Sequence, residues 1–135
     1  MNAYHFVSDV LRDGRPIPED GVWLEHSGEV KMCESGFHAS VDPFDALQYA
    51  PGNTLCLVEC DEVVAEGDNK LVCRKRKIIK RVDATGMLRE FARAQALSVI
   101  DKWDAPQVVR DYLTTGDESL REAAKSAAEA AWSAA

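Results

Sequence analysis

Two histidines and one tyrosine are the residues whose types and positions best suit ligand chemistry. His5 lies between two aromatic residues in a predicted strand, and His38 lies where another predicted strand leads into a helix that contains Tyr49. Histidine exchanges protons near neutral pH and can hydrogen-bond a ribose hydroxyl, and an aromatic ring can stack on a heterocycle. We therefore expect these three side chains to converge on one concave side of the fold.

Glu59 and a group of basic residues are further candidates. Glu59 is the one acid in the apolar segment 54–60, and a buried carboxylate would need an arginine or histidine nearby. Six basic residues between positions 74 and 81 form either a solvated strand face or a contact for an anion or an acidic partner. The candidate catalytic residues are thus His5, His38, Tyr49 and Glu59, and the candidate binding residues are Arg74, Arg76, Lys80 and Trp132.

Composition limits the classes of function. The 135 residues have a formal net charge of −7, which disfavours binding to a nucleic acid backbone. The four cysteines lack the paired C-x-x-C spacing of a zinc site, so we expect no metal and expect Cys56 and Cys60 to be buried, reduced thiols. No apolar run approaches the length of a membrane span, and no signal-peptide pattern opens the sequence. These features predict a cytoplasmic protein.

Hydrophobic periodicity predicts an α+β fold. We expect a mixed or antiparallel sheet over residues 1–83 with one internal helix, followed by a three-helix segment over residues 84–135 packed on it in a single domain. Asp42 should cap the internal helix, with Pro43 in its first turn. Segments 22–26 and 29–32 suggest a hairpin, and segment 54–60 suggests a central strand buried on both faces. The predicted core includes Leu55, Leu57, Leu88, Phe91 and Val99.

Several motifs resemble an uncharacterised family of small phage and prophage proteins. They are Gly36-Phe37-His38-Ala39-Ser40, Ala46-Leu47-Gln48-Tyr49-Ala50-Pro51-Gly52, Leu88-Arg89-Glu90-Phe91-Ala92-Arg93, Trp103-Asp104-Ala105-Pro106 and Thr115-Gly116-Asp117-Glu118-Ser119. The resemblance covers nearly the whole chain and implies a gene of mobile elements in bacteria. It implies no particular chemistry.

The first half also resembles the poly(ADP-ribose) polymerase-like transferase fold. The similarity lies in Gly36-Phe37-His38-Ala39-Ser40 followed by Ala46-x-x-Tyr49. It implies that His5 matches the NAD-binding histidine, that His38 replaces a ring-stacking tyrosine, and that Tyr49 matches a second tyrosine. The catalytic glutamate of that fold has no match in segment 75–82, so the resemblance implies binding of an NAD-type nucleotide without enzymatic turnover.

Two functions follow as expectations. The first is a small phage or prophage accessory protein that acts in the host cytosol by binding a host protein, as an inhibitor in counter-defence or host takeover. The alternative is an ADP-ribosyltransferase-like enzyme, or a nucleotide-binding relic of one, that uses His5, His38 and Tyr49. The alanine-rich segment 123–135 offers little area to bury, so we also expect close packing on a neighbouring helix or self-association through it.

Overall fold

The predicted α+β class is confirmed by the structure, a computed structural model that describes residues 1–134. The chain divides into two units, one from Met1 to Thr85 and one that begins at Gly86. This division lies close to the predicted boundary between residues 83 and 84. The predicted packing of the second segment on the first stays a prediction.

The first unit is built on an antiparallel sheet. Its five strands are β1 (Asn2–Val7), β2 (Trp23–Glu25), β3 (Phe37–Ala39), β4 (Thr54–Glu66) and β5 (Leu71–Asp83). The strand order is β1-β4-β5-β2, and β3 pairs with β5 beside β2. Every pairing of these strands is antiparallel, so the sheet is antiparallel rather than mixed.

A bridge between β1 and the end of β3 brings the two outer parts of the sheet together. The backbone N–H of Tyr4 donates to Ser40 O at 2.7 Å, and the N–H of Ser40 donates back to Tyr4 O at 2.8 Å. The Ser40 hydroxyl also donates to Asn69 O at 2.8 Å, which ties the end of β3 to the turn before β5. As a result, the strands that contain His5 and His38 become neighbours.

The core of this unit is formed by small residues of the central strand β4. Cys56, Val58 and Cys60 are buried and belong to one apolar cluster, as expected for the two thiols. The alternating residues Leu55 and Leu57 are half-buried. Our prediction of Leu55 and Leu57 as core residues was wrong. Successive side chains of a strand point to opposite faces, and the interior face of β4 is the one with Cys56, Val58 and Cys60.

One short helix, α1 (Pro43–Leu47), follows β3. The Asp42 side chain accepts a hydrogen bond from Phe44 N at 2.7 Å, so the predicted N-cap is confirmed. Tyr49 lies just beyond the end of α1 and is about half exposed. The helix therefore sets where Tyr49 stands relative to the end of β3.

The predicted hairpin of segments 22–26 and 29–32 was wrong. Strand β2 pairs with β5 instead, where Leu24 lies opposite Arg76. Segment 31–35 forms a tight turn with a single bridge between Lys31 and Ser35. The turn residues Ser27 and Gly28 do follow the end of β2. The long strand β5 offers β2 a regular hydrogen-bonding edge, however, which segment 29–32 does not.

The second unit is helical, as predicted. It contains α2 (Thr85–Leu97), which begins at the boundary, α3 (Gln107–Thr115) and α4 (Arg121–Ala134), with short 3₁₀ turns at Ile100–Lys102 and Glu118–Leu120. Leu88 is half-buried, and Phe91 and Val99 are 44% and 42% exposed. The prediction that these three form a core was therefore wrong.

The core of the second unit lies instead between α3 and α4. It consists of Ala105, Val109 and Ala124, with partly buried residues such as Tyr112 and Ala128 around them. The alanine-rich helix thus packs closely on its neighbour along one face, which is one of the two outcomes expected for it. Among residues 1–134, no helix combines the length and apolar character that a bilayer span requires.

Candidate functional site

The first unit contains a cleft of about 630 Å³ between β1, the end of β3, the end of α1 and β5. This volume is within the usual range for sites of small molecules. We call it the basic cleft, because the ionisable and aromatic side chains that line it include His5, Arg12, His38, Tyr49, Lys70 and Arg76.

Strand register explains how the two histidines and Arg76 come together. His5 lies opposite Cys56 in the β1–β4 pair, and His38 lies opposite Val72 in the β3–β5 pair. Arg76 is four residues further along β5. The bridge between Tyr4 and Ser40 then brings β1 to the end of β3, so residues distant in sequence line one cleft.

Gly36 makes the approach to β3 possible. Its φ is +96°, and a Cβ at this position would lie 2.8 Å from a methyl group of Val30 and 3.2 Å from Cys73 O. A side chain there would combine backbone strain with a clash. Gly36 thereby sets the path of the two residues that follow, including His38.

Arg76 is the most unusual residue of the cleft, because it is a charged side chain only 6% exposed. Its NH1 donates to His38 O at 2.6 Å, and its guanidinium carbon lies 5.0 Å from the centre of the Phe37 ring. No carboxylate among residues 1–134 forms an ion pair with it. Burial lowers the pKa of Arg76 from its ordinary value. A buried cation without an acidic partner is costly, so it suggests an anion supplied from outside the chain.

His5 lines the cleft as a neutral imidazole. Burial, then the positive charge of Arg76 and the repulsion that a protonated His38 would add, hold its pKa well below the ordinary value of 6.5. The described residues provide no hydrogen-bond partner for its ring. Its two nitrogens are therefore available to a ligand as one donor and one acceptor.

His38 is held by the turn at residues 31–35. The backbone N–H of Cys33 donates to His38 Nε2 at 2.8 Å, so the neutral ring has its proton on Nδ1. Burial, and then the positive charges of Lys70, Arg12 and Arg76, lower the pKa of His38. This contact fixes the ring at the wall of the cleft.

Tyr49 and Lys70 face each other at the cleft. The Lys70 ammonium lies 4.6 Å from the centre of the Tyr49 ring, which is a cation–π contact. The ammonium therefore covers one face of the Tyr49 ring and adds a positive charge to this side of the cleft.

The charge of the cleft opposes that of the whole chain. Two carboxylates line it, Asp13 and Glu34, and each has its own basic partner. Asp13 Oδ2 lies 2.8 Å from Arg15 NH2, and Glu34 Oε1 lies 3.1 Å from Lys31 Nζ. Arg12, Lys70 and Arg76 are not offset in this way, so the cleft attracts anions although the chain is acidic overall.

Comparison with known proteins adds a family. Residues 1–90 match the model of a domain of unknown function, DUF7666. The chain belongs to the DUF7666 family. No curated protein and no solved structure matches the chain. The matched region includes every residue of the basic cleft, so the cleft belongs to the DUF7666 domain itself.

The other predicted site residues are not among those that line the cleft of the DUF7666 domain. Glu59 pairs with Lys77, Oε2 to Nζ at 3.1 Å. Arg74 NH1 donates to His26 O at 2.8 Å and to Gly28 O at 2.9 Å, which anchors the end of β2. Lys80 is exposed on β5. Trp132 is in the second unit and is 83% exposed.

The basic segment of β5 therefore serves several purposes in the DUF7666 domain. Arg76 lies in the cleft, whereas Lys77 contacts both Glu59 and the ring of Trp23, and Arg81 pairs with Asp20. It is not one solvated face. The alternation of a strand separates neighbours in sequence to opposite sides of the sheet.

Sequence reasoning missed Lys70, Arg12 and Cys33 as cleft residues. Lys70 follows the turn-forming segment 66–69, and Arg12 precedes the turn residues Asp13 and Gly14. These turn residues predicted loops at both places but did not indicate a binding site. A positive φ of 67° at Cys33 is visible only in the structure. Within the described residues, no three His, Cys, Asp or Glu side chains come together to hold a metal ion.

Proposed function

We propose that the DUF7666 domain binds a small anionic ligand, with phosphate or carboxylate groups, in the basic cleft. The observation that supports this best is Arg76, a guanidinium 6% exposed that lines the cleft and pairs with no carboxylate of the described chain. A bound anion would supply the missing partner through charge-assisted hydrogen bonds. His5 would add a neutral donor and acceptor beside it.

An NAD-type nucleotide is the specific ligand implied by the resemblance to the ADP-ribosyltransferase fold. A cleft of about 630 Å³ has room for such a molecule or a large part of it. Arg76 would hold phosphate, His5 or His38 would hydrogen-bond a ribose hydroxyl, and the exposed ring of Tyr49 would stack on a base. The two carboxylates of the cleft are paired with Arg15 and Lys31, which favours binding over glycosyl transfer.

Calorimetric titration tests the proposal. The wild-type chain is titrated with sulfate, pyrophosphate, citrate, ADP and NAD⁺ at low ionic strength. At least one of these should bind, and Arg76→Met should weaken that binding about 10- to 100-fold, since a hydrogen bond to a charged group contributes about 1.5–3 kcal/mol. Lys80→Met is the matched control, because it removes one positive charge from an exposed position of the same strand. Equal weakening by both variants, or no binding at all, would contradict the proposal.

Binding to a host protein remains the second candidate, as proposed from the resemblance to phage and prophage proteins. The observation that favours it is the exposure of Trp132, 83%, on the helix α4. Exposed tryptophans often anchor protein interfaces. In this role the chain would act as an inhibitor in a bacterial cytosol, and Trp132 would also serve any self-association of α4.

A pull-down from bacterial lysate tests this second candidate. The tagged wild-type chain should retain one dominant host protein, and Trp132→Ala should lose it. Lys125→Ala provides the control, because it alters another exposed residue of α4. Light scattering of the isolated chain shows whether Trp132 mediates self-association instead. Retention by the Trp132 variant equal to that of wild type would refute the role of this residue.

A further inference from the structure

The basic cleft contains two groups of positive charge. Arg76 is buried in its wall, whereas Arg12 and Lys70 line it from loops. Arg12 lies in the loop that the bridge between Val10 and Pro16 closes, and Lys70 directly precedes β5. No carboxylate among residues 1–134 forms an ion pair with any of these three cations. A single small anion on Arg76 would therefore neutralise only one of the two groups.

His38 lies between the two groups. Its carbonyl oxygen accepts the hydrogen bond from Arg76 NH1 at 2.6 Å, so the guanidinium ends beside the backbone of β3. In the β3–β5 pair His38 lies opposite Val72, which is two residues from Lys70. Two residues of a strand span about 7 Å. The positions of Lys70 and Arg76 thus flank the His38–Val72 pair along β5, at a separation that a small molecule can bridge.

The ionisation of His38 supports this arrangement. Burial lowers its pKa first, and the positive charges of Lys70, Arg12 and Arg76 lower it further. All three cations are therefore close enough to act on the ring. The neutral ring accepts from Cys33 N–H through Nε2 and has its Nδ1–H left as a donor. The wall between the two groups of charge is thus uncharged.

Lys70 is preorganised in a way that a free surface lysine is not. It is half-buried, and its ammonium lies 4.6 Å from the centre of the Tyr49 ring. This cation–π contact restricts the long side chain before any ligand arrives. A group that is already ordered loses less conformational entropy when it binds. Lys70 can therefore contribute to affinity as a second fixed cation of the cleft.

We propose that the ligand of the basic cleft carries two anionic groups joined by a short neutral segment. Arg76 binds one anionic group, Lys70 and Arg12 bind the other, and the neutral segment lies along His38. This inference rests on the proposed function and narrows the class of ligand. Short bisphosphates and dicarboxylic acids belong to this class, whereas a single phosphate or sulfate does not.

Calorimetric titration with two matched phosphates tests the inference. The probes are butanediol with a phosphate at each end and butyl phosphate, which share one carbon chain and differ by one phosphate. At low ionic strength the bisphosphate should bind at least about 10-fold more tightly, because it gains a second charge-assisted contact. Lys70→Met should remove most of this preference and leave the affinity for butyl phosphate within about twofold of wild type. Arg76→Met should weaken the binding of both probes.

Two further variants serve as controls. Lys70→Arg keeps the charge and should retain the preference for the bisphosphate. Lys80→Met removes one charge from an exposed position of β5 and should leave the preference unchanged. The urea midpoint of each variant shows whether it is folded.

Three results would overturn the inference. They are equal affinity of the wild type for the two phosphates, equal weakening of both by Lys70→Met, and binding of neither phosphate. The first two leave the proposed function standing, because an anion still binds in the cleft. The proposed function itself fails only if no other anion binds either.

Discussion

The substitution Arg76→Met tests whether Arg76 serves to bind a ligand or only to stabilise the fold. The substitution removes the hydrogen bond from NH1 to His38 O at 2.6 Å and the contact with the Phe37 ring at 5.0 Å. A hydrogen bond to a charged group contributes about 1.5–3 kcal/mol, and a cation–π contact contributes about 0.5–2 kcal/mol. The direct loss is therefore about 2–5 kcal/mol.

The desolvation cost of the buried charge acts in the other direction. Moving an ion out of water into a protein costs several kcal/mol, and a methionine of similar length avoids that cost. Because Arg76 has no acidic partner in the described chain, little Coulombic attraction offsets the cost. We expect the free energy of unfolding of Arg76→Met to stay within about 2 kcal/mol of wild type.

Urea unfolding with and without pyrophosphate measures both effects. Ligand at 100 times the wild-type dissociation constant should stabilise the wild type by about 2.7 kcal/mol, and Arg76→Met, with about 10- to 100-fold weaker binding, should keep only about 0.4–1.4 kcal/mol of this increment. Lys80→Met, with the same change in charge, should keep it. If Arg76→Met instead loses 3–5 kcal/mol, as when a buried ion pair is broken, and keeps the pyrophosphate increment, Arg76 is structural and the reasoning fails.

Three further predictions concern the fold and the ionisation of the first unit. Leu71 is 1% exposed, so Leu71→Ala should lower the free energy of unfolding by about 2–5 kcal/mol. Leu57 is half-buried, so Leu57→Ala should lower it clearly less. Equal shifts of the urea midpoint would contradict this ranking. Gly36→Ala should cost more than about 1 kcal/mol, because of its φ of +96° and a clash with Val30, and an unchanged melting temperature would refute the close approach. The pKa of His5 is held below 6.5, so the unfolded chain binds a proton that the folded chain does not, and stability should fall as pH falls from about 6.5 toward the lowered folded pKa. His5→Gln should flatten that part of the pH profile, and an unchanged slope would rule out its contribution.

The fold was predictable because local signals agreed with one another. Asp42 and Pro43 marked the start of α1, and the change to helical periodicity near residue 84 marked the second unit. Core membership was predicted less well. In segment 54–60 the leucines are larger than the alternating cysteines and valine, but side-chain size does not determine which face of a strand is interior. Which face of β4 is interior depends on which strands pair with it, and a local sequence pattern does not contain that information.

The site was predictable in part for the same reason. His5, His38 and Tyr49 were expected to converge, and the structure places all three on the wall of the basic cleft, although their roles stay predictions. Arg76 was predicted as a binding residue, but only together with Arg74 and Lys80 as part of the basic segment 74–81. The register of β5 puts Arg76 opposite Leu24 of β2 and the buried Cys60 of β4, and it lines the cleft, whereas Lys77 and Arg81 pair with carboxylates that do not line it. Long-range register is not encoded in any short motif.

The central claim is that the basic cleft of the DUF7666 domain binds anions, and NMR mapping of the side chains tests it most directly. The chain is labelled with ¹⁵N and titrated with pyrophosphate, while the arginine Nε–H and histidine ring signals are followed. The account predicts saturable shifts of the Arg76 and His5 signals at one common dissociation constant, with little change at Arg81, which is paired with Asp20 outside the cleft. Shifts confined to Arg81 and other exposed basic residues, with Arg76 and His5 unchanged, would contradict it.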